Sequence, residues 1–212
     1  MIVELGSGVF CVTGTEVNWV IVRDGSDVTL IDSGYPGDLT RLEASLRALG
    51  SRPQDVRAIL STHAHIDHIG GLNHFHREYG TPAYMSANEI AHARREYLEQ
   101  AGPLDVARNV WRPGVAGWAA RITRAGAMRR NPVPHAQPFP HAGPLDLPGK
   151  PQPVATAGHT AGHTAYYLPG IGAVATGDAL VTGHRVSRVD GPQVLPTMFH
   201  HCPPAESAAA LD

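Results

Sequence analysis

Ser61-Thr62-His63-Ala64-His65-Ile66-Asp67-His68-Ile69-Gly70-Gly71 puts three imidazoles and a carboxylate between positions 63 and 68. On a helix His63 and His65 would face about 200° apart, whereas an extended segment returns to one face every second residue. The cluster is therefore expected on a loop after a strand, with His63 and His65 gripping one ion. Asp67 and His68 are adjacent, so they must diverge from that pair and are expected to serve a second ion, where Ile69-Gly70-Gly71 opens a helix. Imidazole with carboxylate suits borderline divalent metals, Zn2+ first, with Fe or Mn as alternatives. A His-rich surface loop is the competing reading. The dense HxHxDH pattern directly after the apolar run Val56-Arg57-Ala58-Ile59-Leu60 argues against it.

Working back from this stretch, Val9 to Val12, Asn18 to Val22 and Val28 to Ile31 are rich in β-branched residues, and Asp24-Gly25 sits at a turn. They predict an antiparallel meander ending at Asp32-Ser33-Gly34. Asp38 is expected to cap a helix with Leu39, Leu42, Leu46 and Leu49 on one stripe before Gly50. Arg57 to Leu60 is the strand that delivers the histidines. Leu72, Phe75, His76 and Tyr79 then keep helical spacing up to Gly80. Pro82 to Met85 reads as a short strand, and Ser86 with Glu89 as a capping box for a helix running toward Gln100.

Strands and helices in this rhythm predict an α/β layered domain. Residues 103–145 interrupt it. Between Asp105 and Asp146 lie six arginines and no acidic residue, with Trp111 and Trp118 among them. The segment is expected to be helical in its middle and to break at Asn131-Pro132-Val133-Pro134. Two readings fit: a cationic lid over the metals, or a peripheral helical pair with a solvated face, and the second is preferred. Strand signals return at Val154 to Thr156, and Ala157-Gly158-His159-Thr160-Ala161-Gly162-His163-Thr164 writes AGHT twice. A hairpin around Pro169-Gly170 leads to Gly177-Asp178.

The bulk numbers narrow the possibilities. A chain of 212 residues with 42% hydrophobic content fits one globular domain with a sizeable core. A formal net charge of −2 gives no global pull toward nucleic acid or an anionic membrane. No apolar run is long enough to span a bilayer, and the start lacks the marks of a secretion signal, so a cytoplasmic location is expected. Cys11 and Cys202 are far apart without CxxC spacing, which suggests neither a disulfide framework nor a thiolate site. No Gly-x-Ser-x-Gly elbow occurs, so Ser33 and Ser61 are read as loop-shaping residues.

HxHxDH, then a GHT after a strand, then Gly-Asp after a further hairpin: in that order the motifs resemble the metallo-β-lactamase superfamily of binuclear metallohydrolases. The resemblance runs from Leu30-Ile31-Asp32-Ser33-Gly34 to Gly177-Asp178-Ala179-Leu180. It implies a four-layer αβ/βα sandwich of two mixed sheets, formed by a single domain over 1–212 with an insertion at about 103–145. It also implies that His63, His65 and His159 hold the first metal, that Asp67 and His68 hold the second, and that Asp178 bridges both. His163 is the alternative to His159, which is preferred because it directly follows the strand end. Asp32 is expected to orient the metal loop or, alternatively, only to form the strand-end turn. Asp67 is expected to orient the attacking water and take its proton.

Members of the family close the second site with a histidine in a GHG-like loop well beyond the Gly-Asp motif. Only His184, His200 and His201 follow Asp178 here, so the resemblance implies a chain truncated at its C-terminal part, with a weakly held second metal. The function it implies is hydrolysis of a small ester, thioester, lactone or phosphoester by a metal-activated water. The alternatives are an oxidoreductase like the mononuclear iron persulfide dioxygenases and a non-catalytic metal-binding remnant. The expected partner is a small-molecule substrate rather than nucleic acid. Trp111, Trp118, Tyr166 and Tyr167 are candidate pocket residues, each read first as core.

Overall fold

Residues 1–199, 201 and 204–209 are described by the computed structural model. Four antiparallel strands open the chain: β1 (Ile2–Gly6), β2 (Val9–Thr13), β3 (Asn18–Asp24) and β4 (Asp27–Ile31). Helix α1 (Leu39–Ala48) follows, then β5 (Val56–Leu60), α2 (Leu72–Tyr79) and β6 (Ala83–Met85). Short helices α3 (Ile90–Ala93) and α4 (Pro103–Ala107), the longer α5 (Val115–Ala125) and a two-residue β7 (Gln137–Pro138) complete the first half of the fold. The seven strands form one sheet in the order of the chain, with β4 to β7 parallel. A second, three-stranded antiparallel sheet holds β8 (Gln152–Ala155), β9 (Thr164–Leu168) and β10 (Ala173–Ala175), and α6 (Pro204–Ala209) lies near the end. The first sheet is mixed as expected. The second has only antiparallel pairs among the described residues.

Period-two alternation makes the layers, because successive side chains of a strand point to opposite faces. Phe10, Val12, Trp19, Ile21, Leu30 and Ile59 face one way and bury Leu42 and Leu46 of α1 with Leu72 and Phe75 of α2. Their neighbours Val9, Val22, Ile31 and Leu60 face the other way, onto Tyr166 and Leu168 of the second sheet. Helices thus cover one face of the large sheet and the small sheet covers the other, an α/β sandwich. No helix among the described residues is long and apolar enough to cross a membrane.

The loop after β5 is held from both layers. Ala64 and Ile69 are buried in the helix-side core. From the other side, Tyr166 Oη donates to the Ser61 carbonyl at 2.7 Å and Thr164 N to the Thr62 carbonyl at 2.9 Å. Gly70 is where the loop crosses the turn after β4, its N–H donating to the Gly34 carbonyl at 2.8 Å. A Cβ there would lie 2.2 Å from the Tyr35 carbonyl carbon and 2.3 Å from the Gly34 oxygen, backbone atoms that cannot step aside. Gly70→Ala is therefore expected to destabilise the fold by about 2–3 kcal/mol, the scale of a forced overpacking. Urea unfolding reads this directly, and a midpoint equal to the parent's would refute the steric argument.

Two local expectations fail for a common reason. Asp38 does not cap α1: its carboxylate is buried and accepts from Thr15 Oγ1 at 2.8 Å, Thr15 N at 3.2 Å and Tyr35 N at 3.2 Å. Ser86 Oγ does accept from Asn88 N, but the expected helix toward Gln100 ends at Ala93, and Arg95 sits at φ +62°. Glu89 turns into the protein instead of closing a capping box. In both places a carboxylate that local pattern assigns to a helix end is taken by distant partners, which no short window contains. β1 and β7 also go beyond the sequence expectation.

Candidate metal centre

The loops leaving the C-terminal ends of β4, β5 and β8, with the turn after β10, meet at one edge of the sandwich. His63, His65 and His159 gather there, each offering a ring nitrogen within 4.8 Å of the others. Their rings lie 4.4 to 4.7 Å apart, and His159 Nε2 is 3.0 Å from His65 Nδ1. His63, His68 and Asp178 form a second such group. Asp178 faces both, with Oδ1 3.3 Å from His68 Nε2 and Oδ2 3.4 Å from His159 Nε2. Asp67 stands outside these two groups; its Oδ2 is 3.7 Å from His68 Nε2 and it opens to the cavity. All six expected residues share the edge, and Asp67 approaches least closely.

Hydrogen bonds decide which nitrogen each ring presents. Asp32 accepts from Thr62 N at 2.8 Å, Thr62 Oγ1 at 2.9 Å and His68 Nδ1 at 2.8 Å, so His68 turns Nε2 inward. Thr62 Oγ1, donating to Asp32, can only accept from His63 Nδ1 at 3.0 Å, which leaves His63 Nε2 facing the centre. His65 donates Nε2–H to the Glu99 carbonyl at 2.5 Å, which leaves Nδ1. His163 is different. Its Nε2 accepts from Asp178 N at 3.1 Å and its Nδ1 donates to Thr156 Oγ1 at 2.8 Å, so both ring nitrogens are engaged by protein. That occupation places His163 behind Asp178 and leaves His159 as the histidine of the AGHT repeat that fits the first group.

Thr62 and the Glu99 carbonyl were not singled out from sequence. A threonine beside a histidine is unremarkable in sequence, and a backbone carbonyl has no residue signature at all. Asp32, by contrast, is the buried carboxylate expected, and its φ of +64° turns it back under the loop.

Charge follows burial. Loss of solvent, with mutual repulsion among the rings, holds His63 well below the ordinary imidazole value, and His159 likewise. Burial also lowers His65 and takes His163 to about 4. For His68 burial works against the charged form, but Asp32, Asp178 and Asp67 outweigh it and raise the ring well above its ordinary value. Burial, with Asp178 nearby, raises Asp67; in Asp178 the effect of His68 and His159 overcomes burial and lowers the carboxyl.

A metal fits this donor set. His63 Nε2 is a buried atom with no hydrogen-bond partner, an arrangement that costs about 1–3 kcal/mol unless something else occupies it. Neutral imidazole nitrogens converging with a carboxylate are the ligands borderline divalent ions select.

The centre forms part of the lining of a cavity of about 970 Å3. Tyr35, Ile66, Leu98, Trp118, Ile122 and Phe199 contribute apolar wall, and Arg95, Arg129 and Arg130 contribute cationic groups. In the Arg-rich segment α5 brings Trp118 and Ile122 to the cavity, Arg121 pairs with Glu16 at 2.6 Å, and of the six arginines Arg129 and Arg130 join the lining. Of the other candidate aromatics, Trp111 is 71% exposed, Tyr166 is core and Tyr167 is partly exposed. His184 packs against Trp118 and Phe199, and His201 Nδ1 lies 3.3 Å from Glu99 Oε1; His200 lies outside the described residues.

Sequence comparison agrees with the geometry. The profile of the metallo-beta-lactamase superfamily matches residues 12–212, and the chain belongs to that superfamily. Its relatives differ in chemistry. It is 35% identical over 130 residues to the acyl-coenzyme A thioesterase MBLAC2 of Gallus gallus, covering 55% of this chain and 44% of the relative. It is 31% identical over 93 residues to the exodeoxyribonuclease WalJ of Streptococcus pneumoniae, covering 44% of this chain and 33% of the relative. The fold matches the subclass B3 metallo-beta-lactamase BJP-1 of Bradyrhizobium japonicum with a TM-score of 0.59 at 17% identity, over 87% of this chain and 58% of that one. The chain spans less than two thirds of the length of the first curated relatives it matches, 63% in the first and 33% in WalJ.

Proposed function

We propose that the chain is a metal-dependent hydrolase that directs a metal-activated water at the carbonyl of an acyl thioester or ester. The observation that carries this reading is Asp178, set with one carboxylate oxygen toward His68 and the other toward His159, between two groups of converging ligand atoms. His63, His65 and His159 would hold a first divalent cation. His68, Asp178 and Asp67 would hold a second, with Asp178 shared. Bound there, such ions, zinc by the character of the donors, supply a water whose pKa falls from 15.7 toward roughly 7 and polarise the oxygen under attack.

The protein's own part is positional. Asp32, Thr62 and the Glu99 carbonyl fix three ring orientations, so the lone pairs need no rearrangement when an ion arrives. Asp67, open to the cavity beside His68, orients the water and takes up its proton. The apolar wall of Tyr35, Ile66, Trp118 and Ile122 suits an acyl chain, and Arg95, Arg129 and Arg130 suit an anionic carrier on the leaving group. A wall of this character favours an acyl substrate over a phosphodiester chain, which calls for a continuous basic track.

Elemental analysis of the purified chain with thioester, lactone and phosphodiester substrates tests the proposal. The expected result is bound zinc, with turnover fastest on a thioester of apolar acyl chain. A metal-free protein would refute it, and iron with oxygen uptake on a persulfide would replace it with the oxygenase reading.

A further inference from the structure

We propose that Glu89 is a positioning residue that locks the two histidine-bearing loops together, its carboxylate bridging Ala64 on one loop to Thr160 and Gly162 on the other. The inference rests on the metal centre proposed above and assigns a role to a residue outside it. Glu89 is fully buried. Its Oε2 accepts from Ala64 N at 2.9 Å, the amide between His63 and His65, and from His92 Nδ1 at 3.0 Å. Its Oε1 accepts from Gly162 N at 3.0 Å and from the Thr160 hydroxyl, next to His159. Four donors from three segments thus converge on one carboxylate.

His92 and Glu99 extend the tie. Glu99 N donates to His92 Nε2 at 3.4 Å, the Glu99 carbonyl holds His65 Nε2, and Glu99 Oε2 accepts from Ala161 N at 2.8 Å. With Arg95 Nη1 donating to the Ala64 carbonyl at 2.8 Å, the short segment from 89 to 99 makes three hydrogen bonds to each loop. A Cβ on Gly162 would fall 2.8 Å from Glu89 Cγ and from Glu89 N, so the second loop is built to pass this close. Glu89, His92 and Glu99 also each offer a ligand atom within 4.8 Å of the others. Both Glu89 oxygens, however, already accept two protein donors each, so the cluster is complete as a hydrogen-bond knot.

Glutamine at 89 keeps the shape but turns an N–H donor toward at least one backbone donor, which should let the loops part. Groups that orient metal ligands typically change metal affinity by about 10–100-fold when lost. The test measures Zn2+ affinity by chelator competition, together with the visible spectrum of the Co2+ form, for the full chain and three variants. Glu89→Gln is expected to bind Zn2+ at least tenfold more weakly and to alter the Co2+ spectrum. Thr160→Val, which removes one of the four donors, is expected to weaken binding several-fold and serves if Glu89→Gln does not fold. Leu46→Ala, deep in the helix-side core, is expected to lower the melting temperature while leaving affinity and spectrum at the parent's values.

Glu89→Gln or Thr160→Val binding as tightly as the parent overturns the inference and leaves the proposed function standing. Losses that simply track melting temperature across all three variants also overturn it. A further metal equivalent lost with Glu89→Gln would make the cluster a metal site and overturn it too. A parent that takes up no metal refutes the proposed function, and this inference with it.

Discussion

His63→Ala, His65→Ala and His159→Ala, made singly, are each expected to weaken the first bound metal by more than about a hundredfold and to abolish turnover. The first group has three nitrogens, and neither neighbouring ring can stand in for one: His68 belongs to the second group with Asp178, and His163 has both nitrogens bound by Asp178 N and Thr156 Oγ1. Removing a group that merely orients a ligand costs about 10–100-fold, so loss of a ligand itself should exceed that range. Metal content after dialysis against a weak chelator checks the result. The same assay separates the two AGHT histidines, since His163→Ala should retain metal, more weakly held because Asp178 has lost its support. A His163→Ala protein devoid of metal beside a fully loaded His159→Ala would reverse the assignment.

Asp32→Ala should have the largest effect on folding, a loss of about 3–5 kcal/mol, the scale for breaking a buried charged network by removing one partner. Three donors on buried residues lose their acceptor at once, Thr62 N, Thr62 Oγ1 and His68 Nδ1. The backbone adds to this, because φ at Asp32 is +64°, which asparagine and aspartate tolerate better than alanine. Asp32→Asn is therefore expected to cost less. Denaturant unfolding of the metal-free forms measures the difference, and equal midpoints for parent and Asp32→Ala would show that the network carries no stability.

The fold class was legible because its signals are local and repeated. Alternation along Asn18 to Val22 and Val28 to Ile31 states which side chains face which layer, and Leu42, Leu46, Leu72 and Phe75 state which helix faces answer them. HxHxDH was legible for a similar reason, since its spacing is itself the geometry. What the sequence left open was everything settled across long separations. Glu89 looks like a helix-start residue until Thr160, 71 positions away, takes its oxygen. The AGHT repeat offers two histidines, of which the strand end favours His159, but the reason His163 stays out of the first group, Asp178 N reaching its Nε2, is written nowhere near it in the chain. Asp67 and His68 are neighbours in the chain, yet neighbouring positions say nothing about how far apart their ligand atoms point.

The crossing of the first loop over the turn after β4 also sets how the site can move. Ser33 N and Ser33 Oγ both bind the His68 carbonyl at 2.9 Å, Gly71 N binds Ser33 Oγ at 3.0 Å, and Gly70 meets Gly34 with no room for a methyl group between them. These two strips of backbone form one stiff floor, and neither can swing without carrying the other. Breathing that admits a substrate is expected instead of the segment before α5, where Leu104, Val110 and Trp111 are exposed. Amide exchange should accordingly be slow at Ser33, Gly70 and Gly71 and faster along residues 103 to 114.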